Sequence, residues 1–121
     1  MRESDAFIIS TPEYAHQLPG VLKNALDWLV SSDAIVAKPT IVISSSTSAM
    51  GGDKAHAQLT NLLKVISQNV VEEASLIVCR INKKIDENGV LNDTLESDLK
   101  DLLTNQEKYM SSQTHSYTVI Q

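Results

Sequence analysis

The chain has 121 residues, 42% of them hydrophobic and 21% charged, with four Gly and three Pro. This is the composition of one globular domain, and it excludes collagen-like, low-complexity and disordered chains. Fifteen acidic against ten basic residues give a formal charge of −5, which speaks against nucleic-acid binding through clustered Lys and Arg. The longest apolar runs fall far short of a membrane span. Cys79 is the only cysteine, so neither an intrachain disulfide nor a cysteine-held zinc site can form. Met1-Arg2-Glu3-Ser4-Asp5 has no apolar signal core. The expectation is a cytoplasmic protein without membrane association.

Ala6-Phe7-Ile8-Ile9 is apolar on both faces, as a buried parallel strand is, and Ser10-Thr11-Pro12 closes it. Pro19-Gly20 opens a helix, because the N–H that Pro lacks has no partner in a first turn. Val21, Leu22, Ala25, Trp28 and Leu29 recur there at helical spacing, with Lys23, Asn24 and Asp27 on the other side, and Ser31-Ser32-Asp33 ends it. Lys38-Pro39 leads into a second strand, Thr40 to Ser44. Ser44 to Gly52 (SSSTSAMGG) is a small-residue loop. A helix from about Asp53 to Gln68 follows, with Asp53 as its N-cap and Ala55, Leu59, Leu62, Leu63 and Ile66 on one face. Ser75 to Ile81 reads as a third strand, and Asp86-Glu87-Asn88-Gly89 as a turn. Asn92 or Asp93 caps a last helix with Leu95, Leu99, Leu102 and Leu103 inward. In the tail, Ser111 to Gln121, the run Tyr117-Thr118-Val119-Ile120 is β-prone but has no evident place.

Strand and helix alternate three times, which is the pattern of a parallel α/β sheet with right-handed crossovers. Ligands of such sheets bind beyond the carboxyl ends of the strands. Two irregular polar loops lie there, Ser10 to Leu18 and Ser44 to Gly52.

Thr11-Pro12-Glu13-Tyr14-Ala15-His16 followed by Pro19-Gly20-Val21-Leu22-Lys23-Asn24-Ala25-Leu26-Asp27-Trp28-Leu29 resembles the signature of the NAD(P)H-dependent FMN reductase family. Lys38-Pro39 before a strand, the serine-rich loop ending Gly51-Gly52, and Ile85-Asp86-Glu87-Asn88-Gly89 before a final helix fall in the same order. The resemblance implies a flavodoxin-like three-layer α/β/α fold, of which this chain carries three parallel strands with flanking helices. In the order 2-1-3-4-5 of such sheets these correspond to strands 3, 4 and 5. The family's opening strand, its Ser/Arg-containing phosphate loop, its first helix and its second strand have no counterpart. Residues 1–110 are thus expected to form a partial domain and 111–121 a tail.

The resemblance also implies a function: an oxidoreductase moving a hydride from NAD(P)H through FMN to a flavin, quinone or similar acceptor. Pro12, Glu13, Tyr14, Ala15 and His16 would border the flavin ring from one side. Ser44, Ser46, Thr47, Gly51 and Gly52 would border it from the other. The family often has Asn-Gly at Ala15-His16, and Pro-Gly-Gly at Thr47-Ser48-Ala49. No residue is assigned a catalytic or metal-binding role. Backbone N–H groups of the absent loop normally hold the FMN phosphate, so flavin binding is expected to be weak and activity to be impaired or to depend on a second chain. Ala6 to Ser10 would also form an exposed apolar edge. That edge is expected to pair with a second copy, as a homodimer or higher oligomer, or with a separately encoded amino-terminal half. Two alternatives are a catalytically inactive member acting as a dimeric structural or interaction module, and a small-ligand or nucleotide-binding module reusing the strand-end loops.

Overall fold

A computed structural model of the chain describes residues 3–110 and 117–120, with 117–119 described by their backbone alone. Its strands are β1 (Ala6–Thr11), β2 (Thr40–Ser45), β3 (Leu76–Val78) and β4 (Tyr117–Ile120). Its helices are α1 (Gly20–Asp27), α2 (Asp53–Ile66) and α3 (Asp93–Tyr109), with short 3₁₀ turns at Glu72–Ala74 and Ile81–Lys83. All strand pairs are parallel, in the order β3-β2-β1-β4.

β1 is buried on both faces, as its unbroken apolar run requires. Phe7 and Ile9 point to one side, where with Val42 they meet Leu22 and Leu26 of α1 and Ala55, Leu59, Leu63 and Ile66 of α2. Ile8 and Ile41 point to the other and pack with Leu102 of α3. The sheet thus lies between α1 and α2 on one face and α3 on the other, the three-layer arrangement expected. α3 is capped by Asn92, whose side chain accepts from Leu95 N–H at 2.9 Å. At its far end Tyr109 Oη donates to Asn69 Oδ1 at 2.8 Å.

Four details correct the sequence reading. In α1 the stripe Leu22, Leu26 and half-buried Leu29 faces the core, while Val21, Ala25 and Trp28 face outward. Both stripes have helical spacing, and the one with three leucines buries more apolar area. Leu103 of α3 is likewise exposed. Gly52, left-handed at φ +79°, stands at the N-cap of α2 in place of Asp53. β3 is shorter than Ser75 to Ile81, because Arg80 turns left-handed at φ +49°. The N–H groups of Arg80 and Ile81 then donate to Ser48 and Ser46 carbonyls at 2.9 and 3.0 Å.

The fourth correction concerns the edge. β4, from the tail, lies parallel to β1 in the register Ala6↔Tyr117, Phe7↔Thr118, Ile8↔Val119 and Ile9↔Ile120. Ile120 packs against the α1–α2 core. The edge expected to stand open from Ala6 to Ser10 is therefore covered within the chain from Ala6 to Ile9, at the position of strand 1 in the 2-1-3-4-5 order. The rest of the tail, 111–116 and 121, lies outside the described residues, and His115 with it.

Candidate functional site

Two loops leave the carboxyl ends of the adjacent strands β1 and β2. The first closes into a tight hairpin. Tyr14 and Gln17 exchange two backbone hydrogen bonds of 3.0 Å, and the two residues between them, Ala15 and His16, are both left-handed at φ +50° and +61°. Positive φ at both central positions is the type I′ pattern, for which Asn-Gly is the favoured pair. Ala15 and His16 adopt it at a steric cost. Tyr14, Ala15 and His16 are exposed.

Glu13 turns the other way. Its Oε2 accepts from Ala55 N–H at 2.9 Å, and its Oε1 lies 3.4 Å from His16 Nδ1. The carboxylate satisfies one of the unpaired amides in the first turn of α2 and sets a negative charge at the positive end of that helix. A side chain 42 residues away thus does the work expected of a local cap. Leu18 N–H donates to Gln58 Oε1 at 2.9 Å, a second tie between this loop and α2.

The second loop is held from beneath. Ser44 is fully buried, and its hydroxyl donates to Gly51 C=O at 3.0 Å. His56 Nδ1, one residue beyond the Glu13 tie, lies 3.1 Å from the same hydroxyl. Ser46 Oγ accepts from Ser48 N–H at 3.1 Å, and Ser48 Oγ from Met50 N–H at 3.2 Å, forming two serine turns. Thr47, Ser48 and Ala49 keep negative φ, and the left-handed backbone falls on Gly51 (φ +65°) and Gly52 (φ +79°). A Cβ on Gly51 would lie 2.6 Å from Ile77 Cγ2 and 3.0 Å from Cys79 N, so only glycine fits. Cys79 is half-buried beside this loop.

Burial of the His56 imidazole lowers its pKa below the ordinary 6.5, and the nearby Glu72 carboxylate partly offsets this. The first turn of α2 therefore fastens both loops, through Glu13 and through His56. Nine of the ten residues singled out in the sequence lie on these loops, and Ser44 lies near the carboxyl end of β2, beneath the second loop. Gln58 and His56 were not among them, since nothing local marks a mid-helix Gln or His as a loop tie. Among the described residues no group of three or more His, Cys, Asp or Glu could hold a metal ion, and no helix is long and apolar enough to cross a membrane.

An FMN ring needs hydrogen-bond donors at its polar rim and an anion site for its phosphate. Among the described residues, no backbone hydrogen bond engages the N–H groups of Ala15, His16, Thr47 or Ala49. Neither loop contains a Lys or Arg. An apolar pocket of about 270 Å³ adjoins the first loop, lined by Pro12, Tyr14, Pro19, Val21, Ala25 and Ile120 among others.

The family model for NADPH-dependent FMN reductases matches residues 1–83. The chain belongs to that family. It is 42% identical over 64 residues to the NADH:(hydroxy)cinnamate reductase subunit CrdA of Vibrio ruber, covering 52% of this chain and 32% of that protein. It is 32% identical over 110 residues to a 2-hydroxy-1,4-benzoquinone reductase of a Burkholderia species, covering 88% of this chain and 59% of the relative. The structure of FerB, a flavoenzyme NAD(P)H:(acceptor) oxidoreductase from Paracoccus denitrificans, superposes with a TM-score of 0.68 at 27% identity, covering 91% of this chain and 61% of FerB. This FMN reductase-family chain thus spans well under two-thirds of each of these proteins. Both loops lie inside the matched residues, while α3 and β4 lie beyond them.

Proposed function

We propose that the chain supplies the ring-binding part of an FMN site in an NAD(P)H-dependent reductase. The single observation that carries this reading is the fastening of both strand-end loops to one helical turn, which leaves the amides of Ala15, His16, Thr47 and Ala49 unengaged by the backbone. Pro12, Tyr14, Ala15 and His16 would border the ring from the β1 side, and Ser46, Thr47 and the Gly51-Gly52 backbone from the β2 side. Glu13 and Ser44 would serve through the positions they hold. The chemistry that FMN supplies when bound is hydride exchange between a nicotinamide and an acceptor. The relatives point to quinones, flavins and related compounds as that acceptor. No side chain of either loop is assigned proton transfer; both loops bind and orient.

The phosphate site has to come from outside these loops, from a second copy or a separate amino-terminal part. FMN binding by the chain alone is then weak. A second reading, a family member that folds without flavin, is favoured by β4, which covers the β1 edge from within the chain. FMN titration of the purified chain, following flavin fluorescence and Trp28 emission, separates the two. Saturable binding, weak for the chain alone or at micromolar FMN where a second copy completes the site, supports the reductase site, whereas none at hundreds of micromolar overturns it for this chain and supports the second reading.

A further inference from the structure

We infer that His56 is a positioning residue that seats the Ser44 to Gly52 loop by donating a hydrogen bond from Nδ1–H to the Ser44 hydroxyl. The assignment follows from counting protons. The Ser44 hydroxyl has one hydrogen, and Gly51 C=O at 3.0 Å receives it. The contact between His56 Nδ1 and Ser44 Oγ at 3.1 Å can then be a hydrogen bond only if the imidazole donates. This selects the Nδ1–H tautomer and leaves Nε2 as the ring's acceptor. Burial, which favours the neutral ring, agrees with it.

The relay His56→Ser44→Gly51 ends at a left-handed glycine with no space for a side chain. A Cβ on Gly51 would meet Ile77 and Cys79, and Ser44 itself is fully buried. Held there, Gly51 closes the loop over Cys79, and the adjoining Gly52 starts α2. Removing the donor leaves the buried Ser44 oxygen short of a partner, and the loop can lift from β3. Any consequence for flavin rests on the function proposed above, but the seating of the loop does not.

Cys79, as the single cysteine, reports the seating directly. The experiment measures the rate of Cys79 reaction with 5,5′-dithiobis(2-nitrobenzoic acid) in wild type, His56→Leu, His56→Asn, Ser44→Ala and the His56→Leu/Ser44→Ala double variant, without FMN and under native conditions. His56→Leu should label about tenfold faster, the population shift expected when one hydrogen bond holding a local closure is lost. His56→Asn, whose Nδ2 replaces Nδ1, should return the rate to within about twofold of wild type. The double variant should label no faster than the faster single variant, because the two residues act in one relay. Wild-type labelling in His56→Leu, no rescue by Asn, or additive effects in the double variant would overturn the assignment. Should His56→Leu fail to fold, Ser44→Ala and His56→Asn carry the same comparison. FMN titration of the same proteins separates this inference from the functional one. Fast labelling of His56→Leu with no flavin binding by wild type upholds the relay and sinks the flavin site, and the converse result does the reverse.

Discussion

The Ala15-His16 turn is the point at which this chain holds avoidable strain. Both residues sit left-handed, at φ +50° and +61°, where a side chain other than Gly or Asn costs about 1–2 kcal/mol. Replacing the pair by Asn-Gly keeps the turn and removes most of that cost. At position 16 the gain is reduced by the extra freedom of Gly in the unfolded chain, about 0.5–1 kcal/mol. The 3.4 Å contact of His16 with Glu13 is also lost, but the His16 side chain is 80% exposed, and pairs of that kind contribute little. The net expectation is a stabilisation of about 1–1.5 kcal/mol. At about 2.1 cal/mol/K per residue, unfolding 121 residues has an entropy near 0.25 kcal/mol/K, so each kcal/mol moves Tm by about 4 °C. Scanning calorimetry of Ala15→Asn/His16→Gly should show Tm raised by about 4–6 °C. Ala15→Val, a β-branched residue in the same conformation, should lower it. An unchanged or lower Tm in the Asn-Gly variant would refute the reasoning, because it would mean that the two residues do not hold positive φ.

Four further outcomes are expected. Gly51→Ala should destabilise by about 2–4 kcal/mol in urea titration, combining left-handed strain with a Cβ driven against the Cys79 backbone. Gly20→Ala, with nothing within 4 Å of the added Cβ, should be neutral or slightly stabilising. Glu13→Ala should cost about 1–2 kcal/mol by leaving the part-buried Ala55 N–H without its acceptor, read from the same titration. For pH, His56 binds its proton less readily folded than unfolded, so the unfolded chain takes up more protons below the ordinary value of 6.5. Its contribution to stability is therefore full above pH 6.5 and declines as pH falls through the lowered folded value. The Lys64–Glu72 ion pair, 2.7 Å long, lines the same cleft as His56 and supplies the opposing charge. His56→Asn should flatten the wild-type stability loss on that acid limb, and an unchanged slope would count against the shift.

Legibility in the sequence followed the range of the interactions. α2, α3 and the centres of β1 and β2 were readable because burial imposes a period on their own residues. The face of α1 was not, since Val21-Ala25-Trp28 and Leu22-Leu26-Leu29 have the same spacing and only the sheet chooses between them. β3 looked longer than it is because its end is set by the Ser46 and Ser48 carbonyls, which capture Ile81 and Arg80. β4 was a β-prone run without an address: its place depends on the β1 edge, more than a hundred residues earlier. In the site, the loops stood out as the irregular segments after apolar strands. Their fastening did not, because Glu13 finds Ala55 and Ser44 finds His56 only once α2 has packed on the sheet.

β4 also constrains how an FMN site could be completed around this chain. In an open parallel sheet, a ligand lies across the carboxyl ends of neighbouring strands. The loop of β1 has the loop of β2 on one side, and its other neighbour in the sheet is β4. A phosphate-binding loop belonging to a strand next to β1 would have to follow β4 or follow a strand that replaces it. Replacement exchanges one parallel ladder for another, so the backbone hydrogen bonds nearly cancel, and the balance falls on apolar burial. Among the described residues, β4 pairs four residues with β1, and β2 pairs five along its opposite edge. The covered edge is therefore compatible with a chain that stands alone and with one completed by a partner, and the exchange has a sequence-local handle in Ile120, the β4 residue packed on the α1–α2 core.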